Sequence, residues 1–216
     1  MTIEAGFSIV TYTGTGANAT VGHGLGVAPK LVIVKQRNGS TYSWTVHHDA
    51  LSAGQVLFLE ATSAATARAT SFNSTDPSST VFSLGTDLGT NASGNTYVAY
   101  CFAEIPGFSK IFSYTGNGSA DGPFVHCGFK PKFVLIKESS AAGNNWQLYD
   151  SVRDPSNQMT NMLFPNTSGA ESTGFNMDFL SNGFKSRLAG TGVNTNGNTY
   201  VGIAFADVPA KYSLAR

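Results

Sequence analysis

Short runs of β-branched and aromatic residues alternate with clusters of Gly, Asn, Asp and Ser along the whole chain. That pattern predicts strands joined by tight turns. A first series is expected near 7–13, 19–24, 30–37, 42–48, 55–60, 69–73, 80–85 and 95–104. A second is expected near 109–115, 123–127, 132–138, 145–150, 161–164, 174–179, 183–188 and 198–207. Two runs, Leu31-Val32-Ile33-Val34 and Phe133-Val134-Leu135-Ile136, are apolar at every position. A strand carries apolar side chains on both faces only where both faces are covered, so these two should be central. No segment has a sustained helical period, and the best candidate, 61–69, is rich in Ser and Thr. Helix content should be very low.

The two series are one pattern written twice. Pro29, Lys30, Lys35 and Trp44 recur as Pro131, Lys132, Lys137 and Trp146 at a spacing of 102 residues. Asn91, Tyr97, Phe102, Glu104 and Pro106 recur as Asn194, Tyr200, Phe205, Asp207 and Pro209 at a spacing of 103. One ancestral unit duplicated in tandem explains this order. The expected fold is therefore all-β, with two tandem antiparallel, jelly-roll-like β-sandwiches at 1–105 and 106–216. The junction Ile105-Pro106-Gly107 holds no flexible linker, so the units should pack in a fixed orientation, equivalent faces meeting about a pseudo-twofold axis.

Composition narrows the partners. Charged residues make up only 12% of the chain, and Lys plus Arg equals Asp plus Glu at 13 each. No basic field gathers phosphates, so neither nucleic acid nor an anionic membrane is an expected partner. No apolar run approaches the ~20 residues of a membrane-spanning helix, and residues 1–6 lack the basic and apolar regions of a signal peptide. Synthesis in a cytosol follows as an expectation. Cys101 and Cys127 are not repeated between the units and are expected to be buried free thiols.

Repetition also filters the chemistry. His47-His48-Asp49 is the most catalytic-looking cluster, yet on a strand the two imidazoles point to opposite faces and do not share a metal easily. Tyr149 and Asp150 stand at the corresponding place in the second unit. His47, His48, Asp49, Tyr149 and Asp150 are the candidate ligand-binding residues; no catalytic, metal or cofactor site is expected. His23 and His126 read as a repeated structural histidine bonded to a loop carbonyl, and Trp44 and Trp146 as core anchors. Lys35 and Lys137 are expected to pair with Glu104 and Asp207 of their own units. The Asp- and Asn-rich loops near 73–76 and 150–154 match no calcium-loop spacing and read as solvated turns.

Several motifs together carry a resemblance over nearly the whole chain. They are His23-Gly24-Leu25-Gly26 followed by Pro29 and a strand ending in Lys35, then Tyr114-Thr115-Gly116-Asn117-Gly118, and Leu180-Ser181-Asn182-Gly183-Phe184-Lys185. The combination resembles a family of uncharacterised domains in virion proteins of tailed bacteriophages, common near the ends of tail-fibre-like chains. The resemblance implies a non-enzymatic structural protein of the virion, a tail- or fibre-associated module binding a host-surface glycan. The alternatives it leaves are a capsid decoration (cement) protein and, third, a polysaccharide-degrading enzyme. Other virion proteins are the expected partners. Because the first unit begins at about Gly6, docking through the folded surface as a homo-oligomer is expected, a trimer being the usual order on fibres and capsid threefold positions.

Overall fold

A computed structural model describes residues 6–190 and 192–206. Among these the chain is all-β. The first half contributes β1 (Phe7–Thr13), β2 (Ala19–Gly22), β3 (Leu31–Gln36), β4 (Thr45–His48), β5 (Gln55–Phe58), β6 (Thr66–Ala67), β7 (Val81–Leu84) and β8 (Thr96–Phe102), with one short helix, α1 (Leu88–Asn91). The second contributes β9 (Ser109–Thr115), β10 (Phe124–His126), β11 (Pro131–Glu138), β12 (Gln147–Asp150), β13 (Met159–Met162), β14 (Ser172–Leu180), β15 (Gly183–Ser186) and β16 (Thr199–Ala206).

No sheet mixes strands of the two halves. The large sheets run β1-β8-β3-β4-β5-β6 and β9-β16-β11-β12, so their first four strands follow the same order. The opposing layers are β2-β7 in the first half and β10-β15-β14-β13 in the second. All the pairings are antiparallel. The halves diverge where their sequences do. β5 and β6 extend the large sheet of the first half, whereas β13 and β14 join the smaller sheet of the second. The strand expected near 69–73 does not form: this stretch is turned, with Asn73 and Ser74 at positive φ, a conformation that breaks extended pairing. The helix α1, not foreseen, starts where the Asp87 carboxylate accepts the Gly89 amide at 2.7 Å, an ordinary N-cap.

Repeated residues make repeated contacts. Tyr12 stacks on Tyr97 at 5.1 Å and Tyr114 on Tyr200 at 4.9 Å. The outer ring of each pair donates to a backbone carbonyl, that of Thr90 in α1 or of Val193, at 2.6 and 2.7 Å. Asn91 accepts the Thr15 amide and donates to the carbonyls of Ala17 and Gly85. Asn194 does the same with Asn117, Ser119 and Leu188. A Cβ on Gly14 or Gly116 would stand 2.2 or 2.3 Å from the carbonyl of Ala92 or Thr195, so the equivalent turns exclude any larger residue. These constellations match between the two halves.

Three cores follow from the alternation along the strands. Val32 and Val34 of β3 enter the core of the first sandwich, and Val134 and Ile136 of β11 that of the second. The opposite faces of the same strands, Leu31 and Ile33 with Phe133 and Leu135, meet in a third core between the halves. Both apolar runs are thus covered on both sides. Hydrogen bonds pin this junction: Trp146 Nε1 donates to the Phe58 carbonyl at 3.0 Å, the Ala65 amide to Ser139 at 2.8 Å, and the Gly143 amide to Thr62 at 2.9 Å. Cys101 and Cys127 are buried free thiols in different sandwich cores, and desolvation raises each to about 12.

The predicted lysine pairs are corrected by strand direction. β3 and β8 are antiparallel, so Lys35 lies opposite Val98 while Lys30 lies beside the end that leads to Glu104. Lys30 therefore takes Glu104 at 3.1 Å, and Lys35 donates to the Tyr42 carbonyl. Lys137 repeats the latter contact on Asn144 at 3.0 Å and adds the carbonyls of Glu138 and Thr62. Its burial lowers the pKa to about 8 against the opposing pull of Glu138. The other half of that expectation, Asp207, lies outside the described residues.

Candidate functional site

The five candidate residues separate on folding. His47 points into the first sandwich, its ring 5.5 Å from Phe72. It lines a void of about 10 Å³, room for one water and no ligand. Desolvation holds its pKa below the usual 6.5, against Asp76. His48 points the opposite way, as the strand period requires. Its Nδ1 accepts the Ala50 amide at 3.1 Å, which leaves Nε2 to donate to the Gly202 carbonyl of the other half at 3.3 Å. Desolvation lowers its pKa too, despite the Asp49 carboxylate beside it. Tyr149 is buried in the second core, donating to Gln147 Oε1 at 2.9 Å. Asp150 caps the following turn, accepting the amides of Val152 and Arg153 and the Arg153 guanidinium at 2.6 Å. Among the described residues no three His, Cys, Asp or Glu side chains come together as a metal site.

Only Asp49 reaches an open surface. It stands at the wall of a cleft of about 380 Å³ formed across the junction. From the first half come Lys30, Asp49 and Ala50, at the start of β3 and the end of β4. From the second come residues 110–114 of β9 and Phe124, Val125 and His126 of β10. β9 and β10 are the edge strands of their sheets, so the cleft opens along the seam of the second sandwich. Each wall is placed by pairing: the Asp49 amide bonds the Lys30 carbonyl at 2.9 Å, and β10 is held against Gly183–Ser186.

Glu104 organises the charges at this mouth. Its carboxylate takes Lys30 at 3.1 Å on one oxygen, and Lys110 at 2.9 Å with the Ile111 amide at 3.2 Å on the other. Lys30 also lies 3.6 Å from Asp49. Against a desolvation that would raise it, Lys110 and Lys30 hold the Glu104 carboxyl below its usual range. Desolvation would likewise lower Lys30, and Glu104 and Asp49 hold it above its usual value. The outcome is a polar wall whose charges are matched within the protein. At the rim the Phe124 ring is 44% exposed and meets His126 edge-on at 6.3 Å.

His126 is not the repeat of His23. Val21 lies opposite Phe82 and Val125 opposite Phe184, so His23 corresponds in register to Cys127, and His126 to Gly22. A one-residue slip turns a side chain to the other face. His23 is accordingly buried, accepting the Leu25 amide at 3.2 Å and donating to the Ser78 carbonyl at 3.1 Å, while His126 lines the cleft. Lys30, Lys110, Phe124 and His126 were not foreseen as site residues. They are far apart in sequence, and only the packing of the halves brings them together.

The fold and site define an all-β double sandwich with a polar cleft of about 380 Å³ across the junction of its halves. The chain belongs to the family described as Domain of unknown function (DUF7483), whose model matches residues 1–209 and so takes in both halves. No curated protein and no solved structure matches it.

Proposed function

We propose that the chain is a non-enzymatic structural protein of a tailed-bacteriophage virion, tail- or fibre-associated, that binds a host-surface glycan in the junction cleft. The cleft itself carries this reading. Its volume lies within the ~300–1,000 Å³ of small-ligand sites, and its lining suits a neutral polyol. A sugar needs donors and acceptors for its hydroxyls and an apolar platform for its C–H face. Lys30, Lys110, Ser113 and His126 supply polar groups, Asp49 a carboxylate, and Phe124 the ring. Because Glu104 and Asp49 already match the two ammonium groups, the site has no excess charge to select a phosphate or a metal. Of the catalytic-looking cluster, His48 has both nitrogens engaged and His47 packs against Phe72 in the first sandwich, which leaves Asp49 for the cleft. The phage setting is supported by the sequence resemblance and by the low-charge composition.

Glycan-array binding of the purified chain, followed by saturation-transfer NMR on the hits, tests the reading. Phe124→Ala and Asp49→Ala are expected to weaken binding about tenfold or more, since each removes a contact of ~1–2 kcal/mol. Both side chains are exposed, so melting temperature should hold. Absence of any glycan ligand, or full binding by both variants, sinks the proposal. Immunogold labelling that places the chain over the head rather than the tail would move the assignment to the decoration role, and shortening of a bound polysaccharide would move it to an enzyme.

A further inference from the structure

Lys137, near the end of β11, is fully buried, yet none of the ion pairs among the described residues includes it. Its ammonium is held by backbone carbonyls alone, those of Glu138 at 2.9 Å, Asn144 at 3.0 Å and Thr62 at 3.4 Å. A buried charge without a counter-ion is strongly destabilising. Something should remove it.

The groups around Lys137 are those that amide formation needs. Glu138, the next residue and also fully buried, accepts the Asn144 side-chain amide on one carboxylate oxygen and the Asn198 side-chain amide on the other. Asn144 therefore joins the two: its backbone carbonyl holds the Lys137 Nζ, and its side-chain amide holds the Glu138 carboxylate. Asn144 Cγ lies only a few bonds from the oxygen that Nζ already holds, within the swing of a flexible lysine stem. The first half keeps the contact and lacks the chemistry. Lys35 donates to the Tyr42 carbonyl as Lys137 does to that of Asn144, but at the spacing of 102 Gln36 stands for Glu138 and Tyr42 for Asn144. Lys35 is only half-buried, and Gln36 Oε1 is a buried acceptor without a partner among the described residues. Amine, acid and amide coincide in the second half alone.

We propose that Lys137 and Asn144 are joined by an intramolecular isopeptide bond, with Glu138 carrying the proton. The lone pair of neutral Lys137 Nζ adds to Asn144 Cγ, and a C–N bond forms. One Nζ proton passes by way of the Glu138 carboxylate to Asn144 Nδ2; the Cγ–Nδ2 bond breaks, ammonia leaves, and the carboxylate is restored. Nothing is oxidised or reduced. Burial, which lowers the Lys137 pKa to about 8, supplies the neutral amine, and fixed proximity takes the place of an activating reagent. The product replaces a buried ammonium with a neutral amide. It also closes the turn at 138–144, which grips the first half where Ser139 accepts the Ala65 amide and the Gly143 amide donates to Thr62. The bond thus staples one side of the junction, away from the residues that line the cleft.

Intact-mass spectrometry of the purified full chain, held at a pH of about 8 where the free amine is partly neutral, tests this. The wild-type chain is expected to weigh one ammonia less than its sequence, and tandem spectra of its peptides should link residue 137 to residue 144. Glu138→Gln, which keeps the shape but carries no proton, and Asn144→Ala should each return the mass to that of the sequence, with far-UV circular dichroism confirming the fold. The wild-type mass decides the question even where a variant does not fold. A wild-type chain at full sequence mass after prolonged incubation would overturn the proposal. So would an ammonia loss that the spectra place on Asn198 or at an Asn-Gly pair such as Asn196-Gly197, where a succinimide forms instead, or a link that survives in folded Glu138→Gln.

Discussion

Asn91 and Asn194 offer the sharpest test of the view that repeated residues are scaffold. Both side chains are fully buried, and each holds one amide and two carbonyls from separate loops. For Asn91 the bonds are 2.8 Å from the Thr15 amide, 2.7 Å to the Ala17 carbonyl and 2.6 Å to the Gly85 carbonyl. Truncation to Ala orphans all three. The Gly85 carbonyl is buried and should cost about 2 kcal/mol, while Thr15 and Ala17 sit in an exposed loop that can rehydrate, at ~0.5–1 kcal/mol each. The expected loss is about 3–4 kcal/mol for Asn91→Ala. It is about 2–3 kcal/mol for Asn194→Ala, whose three bonds are all partly accessible. Asn→Asp is the more telling variant. It keeps the shape and the accepted amide but sets a carboxylate oxygen against two carbonyls, and it should cost at least as much as Ala. Urea unfolding followed by far-UV circular dichroism measures each loss, with an unchanged denaturant slope as the sign that only stability moved. A loss below about 1 kcal/mol for either Ala variant, or a tolerated Asp, would refute the argument.

Two further outcomes follow from the geometry. Trp146→Ala should cost about 3–5 kcal/mol because it opens the junction core and removes the bond to Phe58, whereas Trp44→Ala should cost under about half of that at its half-exposed site; equal losses would contradict the offset packing. On acidification, His47 and His48 remain neutral in the fold because burial lowers both pKa values, while the unfolded chain protonates below about 6.5. The unfolded state then binds more protons, so stability should hold between pH ~7 and the pH of about 8 at which Lys137 begins to titrate as a free amine, and fall below pH ~6.5, by up to about 1.4 kcal/mol per pH unit for each histidine. Glu104, whose pKa is lowered, loses its contribution only as pH drops through that lower value, so scans between pH ~5 and ~6.5 isolate the histidines. A melting temperature flat over that window would contradict the buried neutral assignment.

The strands were legible because their signal is local. Leu31 to Val34 and Phe133 to Ile136 announced their double burial in four residues, and both became central strands between two cores. Pairings across strands were less legible. Position within the repeat points Lys35 to Glu104, but antiparallel register places Lys35 at the far end of β3 and gives Glu104 to Lys30. Similar neighbours suggest His126 as the repeat of His23, but a single residue of drift between β2 and β10 turns it to the other face. The turned segment after Ala67 failed as a strand because Asn73 and Ser74 adopt left-handed φ, which their neighbours do not signal. The cleft had no local signature at all. Lys30, Asp49, Lys110 and Phe124 become neighbours only through the packing of one half on the other.

That packing changes where function should be sought in a chain of two similar halves. If two copies met symmetrically, equivalent residues would share equivalent environments, and only sequence differences could distinguish them. Here Ile9 and Ile111 are the same residue at the same repeat position, yet one is exposed and the other buried. Trp44 and Trp146 differ in the same way: one lies half-exposed on Tyr100 and the other bonds Phe58 across the junction. The lateral offset therefore gives equivalent faces two environments, a covered one that welds the halves and a more open one around Ile9. It also places the β4 end of the first sandwich against the β9–β10 seam of the second, which is what forms the cleft. The residues common to both halves supply the scaffold, but it is the asymmetry of assembly that gives this chain surfaces a single half would not have.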